Sequence, residues 1–255
     1  MKQYKGEELL DALERGEVRV AERASDGSWT IHAWVKEEIL ALFRSSPVVD
    51  HGDSGAFRDK QAFPIRRWSE KDGVRVVPGG SSVRRGAYLA PGVVCMPPMY
   101  VNVGAYVGAG SMIDSHALVG SCAQIGRRVH LSAAAQVGGV LEPAGAVPVV
   151  LEDEVFVGGG AGVYEGVCVR TRAVLAAGVI LTASSVLFDL VHEKEYRSTP
   201  ERPLVVPEGA VVVMGARPAP GAWGKCHGLS LAAPVIVKYR DAKTDARTVL
   251  ESALR

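Results

Sequence analysis

The chain has 255 residues, 47% of them apolar, with 29 basic and 28 acidic side chains for a net charge of +1. That is ample material for one large domain or two small ones, and the balanced charge gives no long-range field to gather nucleic acid or anionic lipid. No stretch of 18 apolar residues occurs, and the start MKQYKGEELLDALERGE is too charged for a secretory signal, so a cytoplasmic protein with no membrane contact is expected.

Taken in chain order, residues 6–15 and 34–44 carry helical spacing, and Glu17 to Thr30 reads as a short hairpin region. Together they predict an N-terminal α/β domain over residues 1–75. A repeat region follows over 76–190. The last part, 191–255, contains strands near Ala210–Met214 and Pro234–Tyr239 and a polar helix from about Asp245 to Leu254. Cys95, Cys122, Cys168 and Cys226 are far apart with no CxxC pair, so reduced thiols are expected rather than disulfides or a zinc site. The pairs Arg66-Arg67, Arg84-Arg85 and Arg127-Arg128 read as solvated surface.

Periodicity decides the architecture. Steps of six from Val101 meet Val107, Ile113, Val119, Ile125, Leu131 and Val137, and backward steps meet Cys95 and Leu89. A small or β-branched residue follows four places after each, as at Ala105, Ser111, Ala117 and Ala123, and glycine follows directly at Gly108, Gly120, Gly126 and Gly138. The period resumes at Leu151, Val157, Val163, Val169, Leu175 and Leu181. The jump from 137 to 151 reads as two repeats plus two residues, with a loop bulging near Glu142 to Pro148. A period of six fits neither a helix nor a lone strand. It fits a short strand and a turn, three to a triangular coil, stacked as a parallel β-helix whose stability is nearly a sum over neighbouring coils.

The wording of these repeats, YVNVGAYV, GSMIDSHALVGSCAQIGRRVHLS, GGVLEP and PVVLEDEVFVGG with YEG after it, resembles the tetrahydrodipicolinate N-succinyltransferase family of hexapeptide-repeat acyltransferases. The resemblance extends to GEVRVAER and GSWTIHAWVKEEILALFR before the repeat, to GVRVVP at its start, and to PEGAVVVMGARP and PVIVKYRDAKT after it. It implies a left-handed winding, a homotrimer with sites between subunits, and transfer of a succinyl group from succinyl-CoA to the amine of a ring-opened dicarboxylate in the diaminopimelate route to lysine. Such a reaction needs a cation for the dicarboxylate, a carboxylate for the ammonium, a base, and donors for the oxyanion.

Residue by residue, Arg75 in GVRVVP matches the family arginine that meets a substrate carboxylate, and Asp114 in MIDSH matches the aspartate that contacts the substrate amine. Two positions depart from the family. Its SEVVEG is here Ala161–Gly166, so Gly162 stands where the proposed general base is a glutamate, while Glu165 remains. Its MVDTW is here MIDSH, which puts His116 in place of a tryptophan, and an imidazole can take the base role near neutral pH. The catalytic candidates are therefore Asp114, His116 and Glu165. For coenzyme A the candidates are the small residues Gly158, Gly159, Ala176 and Ala177, with Lys238 for the phosphates. No residues show metal-ligand spacing, so no metal is expected. The rival readings are an acetyl-CoA-dependent relative, a related enzyme with another amine acceptor, and a non-enzymatic β-helix.

Overall fold

The computed structural model describes residues 3–52 and 57–241. The expected polar helix at 245–254 lies outside the described residues.

The repeat folds as expected, into a parallel β-helix with three walls, each rung a two-residue strand. Wall one stacks Tyr88–Leu89, Tyr106–Val107, Gln124–Ile125, Val150–Leu151, Cys168–Val169 and Val205–Val206. Wall two begins at Arg75–Val76 and runs through Val94–Cys95, Met112–Ile113, His130–Leu131, Phe156–Val157 and Val174–Leu175 to the strand Ala210–Pro218. Wall three stacks Ser82–Val83, Tyr100–Val101, Leu118–Val119, Gln136–Val137, Gly162–Val163 and Ile180–Leu181. Registers advance by one full coil, as in Tyr106 against Gln124 and Met112 against His130. The second residue of each rung points inward: Val107, Ile113, Val119, Leu131, Leu151 and Leu181 are all 0% exposed and belong to one continuous core. Each such aliphatic contributes about 1.5–3 kcal/mol by leaving water.

The chain turns each corner with a left-handed residue three places after the inward aliphatic. Some of these are glycines, such as Gly104 and Gly110, but His116, Cys122, Arg128, Ala134, Glu154 and Arg172 adopt the same positive φ. The glycines directly after the aliphatics have a different reason. A Cβ on Gly108 would lie 2.5 Å from the carbonyl oxygen of Gly126, so the stacked coil leaves no room for one. At the corner between walls one and two, Arg128 and Arg172 flank Glu154 at 2.5 and 3.6 Å, an ion ladder running up three successive turns.

The interruption after Val137 differs from the sequence reading. Leu118–Val119 pairs with Gln136–Val137 on wall three, and Gln124–Ile125 pairs with Val150–Leu151 on wall one. Successive walls are thus joined directly, and the fourteen-residue jump is one repeat plus an eight-residue insertion rather than two repeats plus two. Aliphatic spacing fixes the phase within a repeat but not how many repeats a gap replaces. A second excursion leaves wall three after Leu181, forms the hairpin Leu187–Asp189 with Lys194–Tyr196, and returns to wall one at Val205.

The N-terminal part supplies α1 (Glu7–Glu14), α2 (Ala33–Ser45) and two hairpins, Ala21–Arg23 with Trp29–Ile31 and Val48–His51 with Phe57–Lys60. Its core of Leu9, Leu10, Val20 and Ile39 closes over Val103 and Cys122 at the corner between walls three and one. Polar contacts fix the hairpin Ala21–Ile31 and its approach onto wall one. Arg19 lies 3.6 Å over the Tyr106 ring and donates to Gln124 at 3.0 Å. Glu152, 4% exposed, accepts from Arg170 at 2.7 Å, Thr171 at 3.1 Å and Trp29 Nε1 at 3.3 Å. Burial alone would raise its pKa, but these donors and the Arg170 charge outweigh burial and hold it below the usual value. At the other end, Ala210–Pro218 and Ser230–Tyr239 form a long hairpin whose tip helix α3 (Gly221–Cys226) carries Trp223, 68% exposed. All four cysteines are free thiols, and burial pushes Cys95, Cys122 and Cys168 up to about 12.

Candidate functional site on wall three and its edges

Asp114 and His116 occupy the corner between walls two and three, one and three places after the inward Ile113. The Ser115 N–H donates to Asp114 Oδ1 at 2.7 Å, so one carboxylate oxygen orders its own turn. The other has no partner among the described residues. His116 is forced to φ 62° by the turn and is exposed. Its N–H donates to the Pro98 carbonyl, and its carbonyl accepts from Gln136 Nε2 at 3.3 Å. The backbone is therefore held on both sides while the imidazole stays open. It lines a cavity of about 400 Å³ on wall three with Pro98, Tyr100, Leu118 and Gln136.

The same corner carries the residues expected to meet coenzyme A. Stacking puts Asp114, Ser132, Gly158 and Ala176 in one column and His116, Ala134, Gly160 and Gly178 in another two places further along the turn. Gly158 is buried, because a Cβ there would meet the Ala177 nitrogen at 2.4 Å; it is small for the sake of the next coil. Gly159 is half-buried, 3.3 Å from the Ala133 oxygen by the same measure. Gly160 and Gly178 face open space, and Ala177 is exposed beside them. The flat, open strip is thus Gly160, Ala177 and Gly178. Only the positive φ at the third corner place distinguishes these glycines, and the hexapeptide pattern does not reveal which glycine points out.

Arg75 is exposed on the first rung of wall two, two coils before Met112–Ile113. At ~4.8 Å per coil that is roughly 10 Å along the stack from the Asp114 turn. Lys238 lies on the strand paired with Val211, next to the coil of Ala176, and its ammonium meets Asp241 at 3.0 Å. Glu165 stands elsewhere. It occupies the corner between walls three and one, two coils further along, and accepts from the Ala183 N–H at 3.0 Å. Within one chain it therefore does not meet Asp114 and His116. They edge opposite sides of wall three.

Between those edges lies a second cavity, of about 910 Å³, bounded by Leu118, Gly138, Tyr164, Glu165 and the two excursions at Val140–Val147 and Ser198–Pro203. Leu118 borders both cavities, so the two adjoin on wall three. Tyr164 was not foreseen from the sequence. Its ring lies against Gly162, whose added Cβ would fall 2.4 Å from the ring and 2.7 Å from the hydroxyl. Position 162 lacks a side chain, and the phenol two residues later fills the vacated space. Among the described residues, no three His, Cys, Asp or Glu side chains converge as a metal group, and no helix is long and apolar enough to cross a membrane.

A three-walled stack of six-residue rungs is a hexapeptide-repeat fold, and here it carries an acid and an imidazole on one open edge. The family model described as the hexapeptide repeat of succinyl-transferase matches residues 148–183, and the one for the N-terminal part of tetrahydrodipicolinate N-succinyltransferase matches 6–44. A 2,3,4,5-tetrahydropyridine-2,6-dicarboxylate N-succinyltransferase from Nitrobacter hamburgensis is 45% identical over 96% of this chain and 87% of its own. The Bradyrhizobium diazoefficiens protein of the same name is 44% identical, covering 98% and 88%. The chain belongs to the 2,3,4,5-tetrahydropyridine-2,6-dicarboxylate N-succinyltransferase family. A crystal structure of a Campylobacter jejuni chain, titled as a 2,3,4,5-tetrahydropyridine-2-carboxylate N-succinyltransferase, aligns with TM-score 0.47 and 17% identity over 91% of this chain and 64% of that one.

Proposed function

We propose that this chain moves the succinyl group of succinyl-CoA onto the amine of tetrahydrodipicolinate in its ring-opened form, within the diaminopimelate route to lysine. The observation that carries the reading is the 45% identity to an N-succinyltransferase along 96% of the chain, N-terminal domain included. A bare hexapeptide repeat would support only some acyltransferase or a structural β-helix.

In the proposed chemistry the free Asp114 oxygen holds the substrate ammonium at the corner, and the exposed His116 imidazole accepts its proton. That proton passes to water. As the amine nitrogen bonds to the thioester carbonyl carbon, the imidazole takes the second amine proton. The carbon–sulfur bond breaks, and the thiolate leaves with that second proton returned by the imidazolium. Arg75 meets a substrate carboxylate. The pantetheine arm lies along Gly160, Ala177 and Gly178, where no side chain stands in its way. Lys238 reaches the phosphates by exchanging its partner Asp241 for a more highly charged anion. The chemistry needs no metal.

Glu165 enters this scheme through a neighbouring subunit. A homotrimer that brings wall three of one copy against the corner of the next would unite the two edges that one chain keeps apart. Trp223, Leu229 and Leu231, exposed on the projecting C-terminal hairpin, support self-association. A cytoplasmic location accords with the reduced thiols.

The test is thiol release from succinyl-CoA and from acetyl-CoA with tetrahydrodipicolinate as acceptor, for the native chain and Asp114→Ala. Release from succinyl-CoA that falls at least ~100-fold in the variant is the expected result, as for loss of a charged contact to the reacting group. Release from acetyl-CoA alone would transfer the reading to the acetyl-dependent relative. Release from neither would remove the lysine-pathway assignment.

A further inference from the structure

Tyr164 is held more tightly than a surface aromatic needs to be. Two glycines make room for its ring. An added Cβ at Gly138 would lie 2.7 Å from Cδ1, and one at Gly162 would lie 2.4 Å from Cε2. Neither glycine has a positive φ, so backbone conformation does not call for glycine at either position. The ring is laid along wall three across two adjacent rungs, with Gln136–Val137 paired to Gly162–Val163 beneath it. This fixes the hydroxyl, which lies 2.7 Å from the place a Cβ of residue 162 would take.

That hydroxyl has no hydrogen-bond partner among the described residues. Tyr164 lines the 910 Å³ cavity, which adjoins at Leu118 the one that His116 lines. Of the polar groups nearby, Gln136 Nε2 is spent on the carbonyls of His116 and Ala134, and one Glu165 oxygen on the Ala183 N–H. A rigidly aimed, unspent O–H in a groove of wall three is a group built for a ligand oxygen.

We infer that Tyr164 is a substrate-contacting residue, donating its phenolic hydrogen bond to a carbonyl or carboxylate oxygen of the acyl-transfer substrates bound along wall three. The glycines at 138 and 162 are its positioning residues. The inference rests on the acyl-transfer reading above and adds to it a contact that Asp114, His116 and Glu165 do not provide.

Tyr164→Phe keeps the ring and its seat while removing only the donor. Thiol release should fall about tenfold in kcat/KM, the worth of one well-formed hydrogen bond to a polar or charged acceptor, with Tm unchanged. Gly162→Ala forces the ring off its seat, so it should lose at least as much activity as Tyr164→Phe. In the Tyr164→Val background, where no ring remains to displace, Gly162→Ala should cost no further activity. An active native enzyme whose Tyr164→Phe variant has the same kcat/KM overturns this inference and leaves the acyl-transfer reading standing. A native chain inactive with both succinyl-CoA and acetyl-CoA removes the two together.

Discussion

Wall one and wall three share the same inward column of aliphatics, yet their outer surfaces have opposite fates. On wall one the outward residues Tyr106, Gln124, Val150 and Cys168 lie beneath or beside the N-terminal hairpin and its seam, and the buried Glu152 gathers Arg170 and Trp29 at that seam. On wall three the outward residues Tyr100, Leu118 and Gln136 stay partly open, Tyr164 covers Gly162, and the two excursions rise beside them to bound the larger cavity. The hexapeptide therefore divides its labour by residue. The inward place and the small residue four positions later build the prism, while the outward place and the corner decide whether a wall docks or binds.

The difference can be broken most forcefully at the seam. Glu152→Ala leaves Arg170 with its guanidinium half-buried and uncompensated, and should cost roughly 3–5 kcal/mol, read by urea unfolding. Limited proteolysis should then release the N-terminal part first. The inward columns should, by contrast, be interchangeable: Leu151→Ala on wall one, Leu131→Ala on wall two and Leu181→Ala on wall three should each cost about 2–5 kcal/mol and agree within ~1 kcal/mol. A wall-dependent cost would show that the prism is not the uniform stack its registers describe.

A smaller effect belongs to the second excursion. Asp189, 2% exposed, accepts from Tyr239 at 2.7 Å, from His192 Nδ1 at 3.0 Å and from the N–H groups of Val191 and His192. Burial opposes ionisation, but these donors outweigh it and bring the pKa down to about 2. A pKa held below the ordinary ~3.9 stabilises the fold above that value, on the order of 2 kcal/mol, and the gain is lost as pH falls from about 5 toward 2. Asp189→Asn should lower Tm at pH 7 and flatten its acid dependence. The smallest effect is expected at the solvated corner, where Arg128→Ala, despite its 2.5 Å contact with Glu154, should shift stability by less than ~1 kcal/mol.

The prism was legible in the sequence because its signal repeats: each inward aliphatic from Leu89 to Leu181 announces itself by position alone. The gap after Val137 was misread because a missing rung and a long loop leave the same spacing. Asp114 was legible as a match to the family aspartate and His116 as a departure from the family, and the structure puts both on one edge. Glu165 was legible as an acid, but which corner it occupies follows from counting walls across that gap. Gly158 and Gly160 look alike in the sequence and differ only in φ and in what the next coil presses against them. Tyr164 was hidden because its effect on Gly162 runs through space, from a side chain folding back over its own strand.

The division between a docking wall and a binding wall is tested most directly by amide hydrogen exchange with and without coenzyme A. Slowed exchange should appear in peptides covering residues 112–120, 138–147, 158–166 and 176–183, with the hairpin at 21–31 and its seam unchanged. Protection confined to the N-terminal hairpin and wall one, or no protection anywhere, would contradict the assignment of wall three as the face that binds.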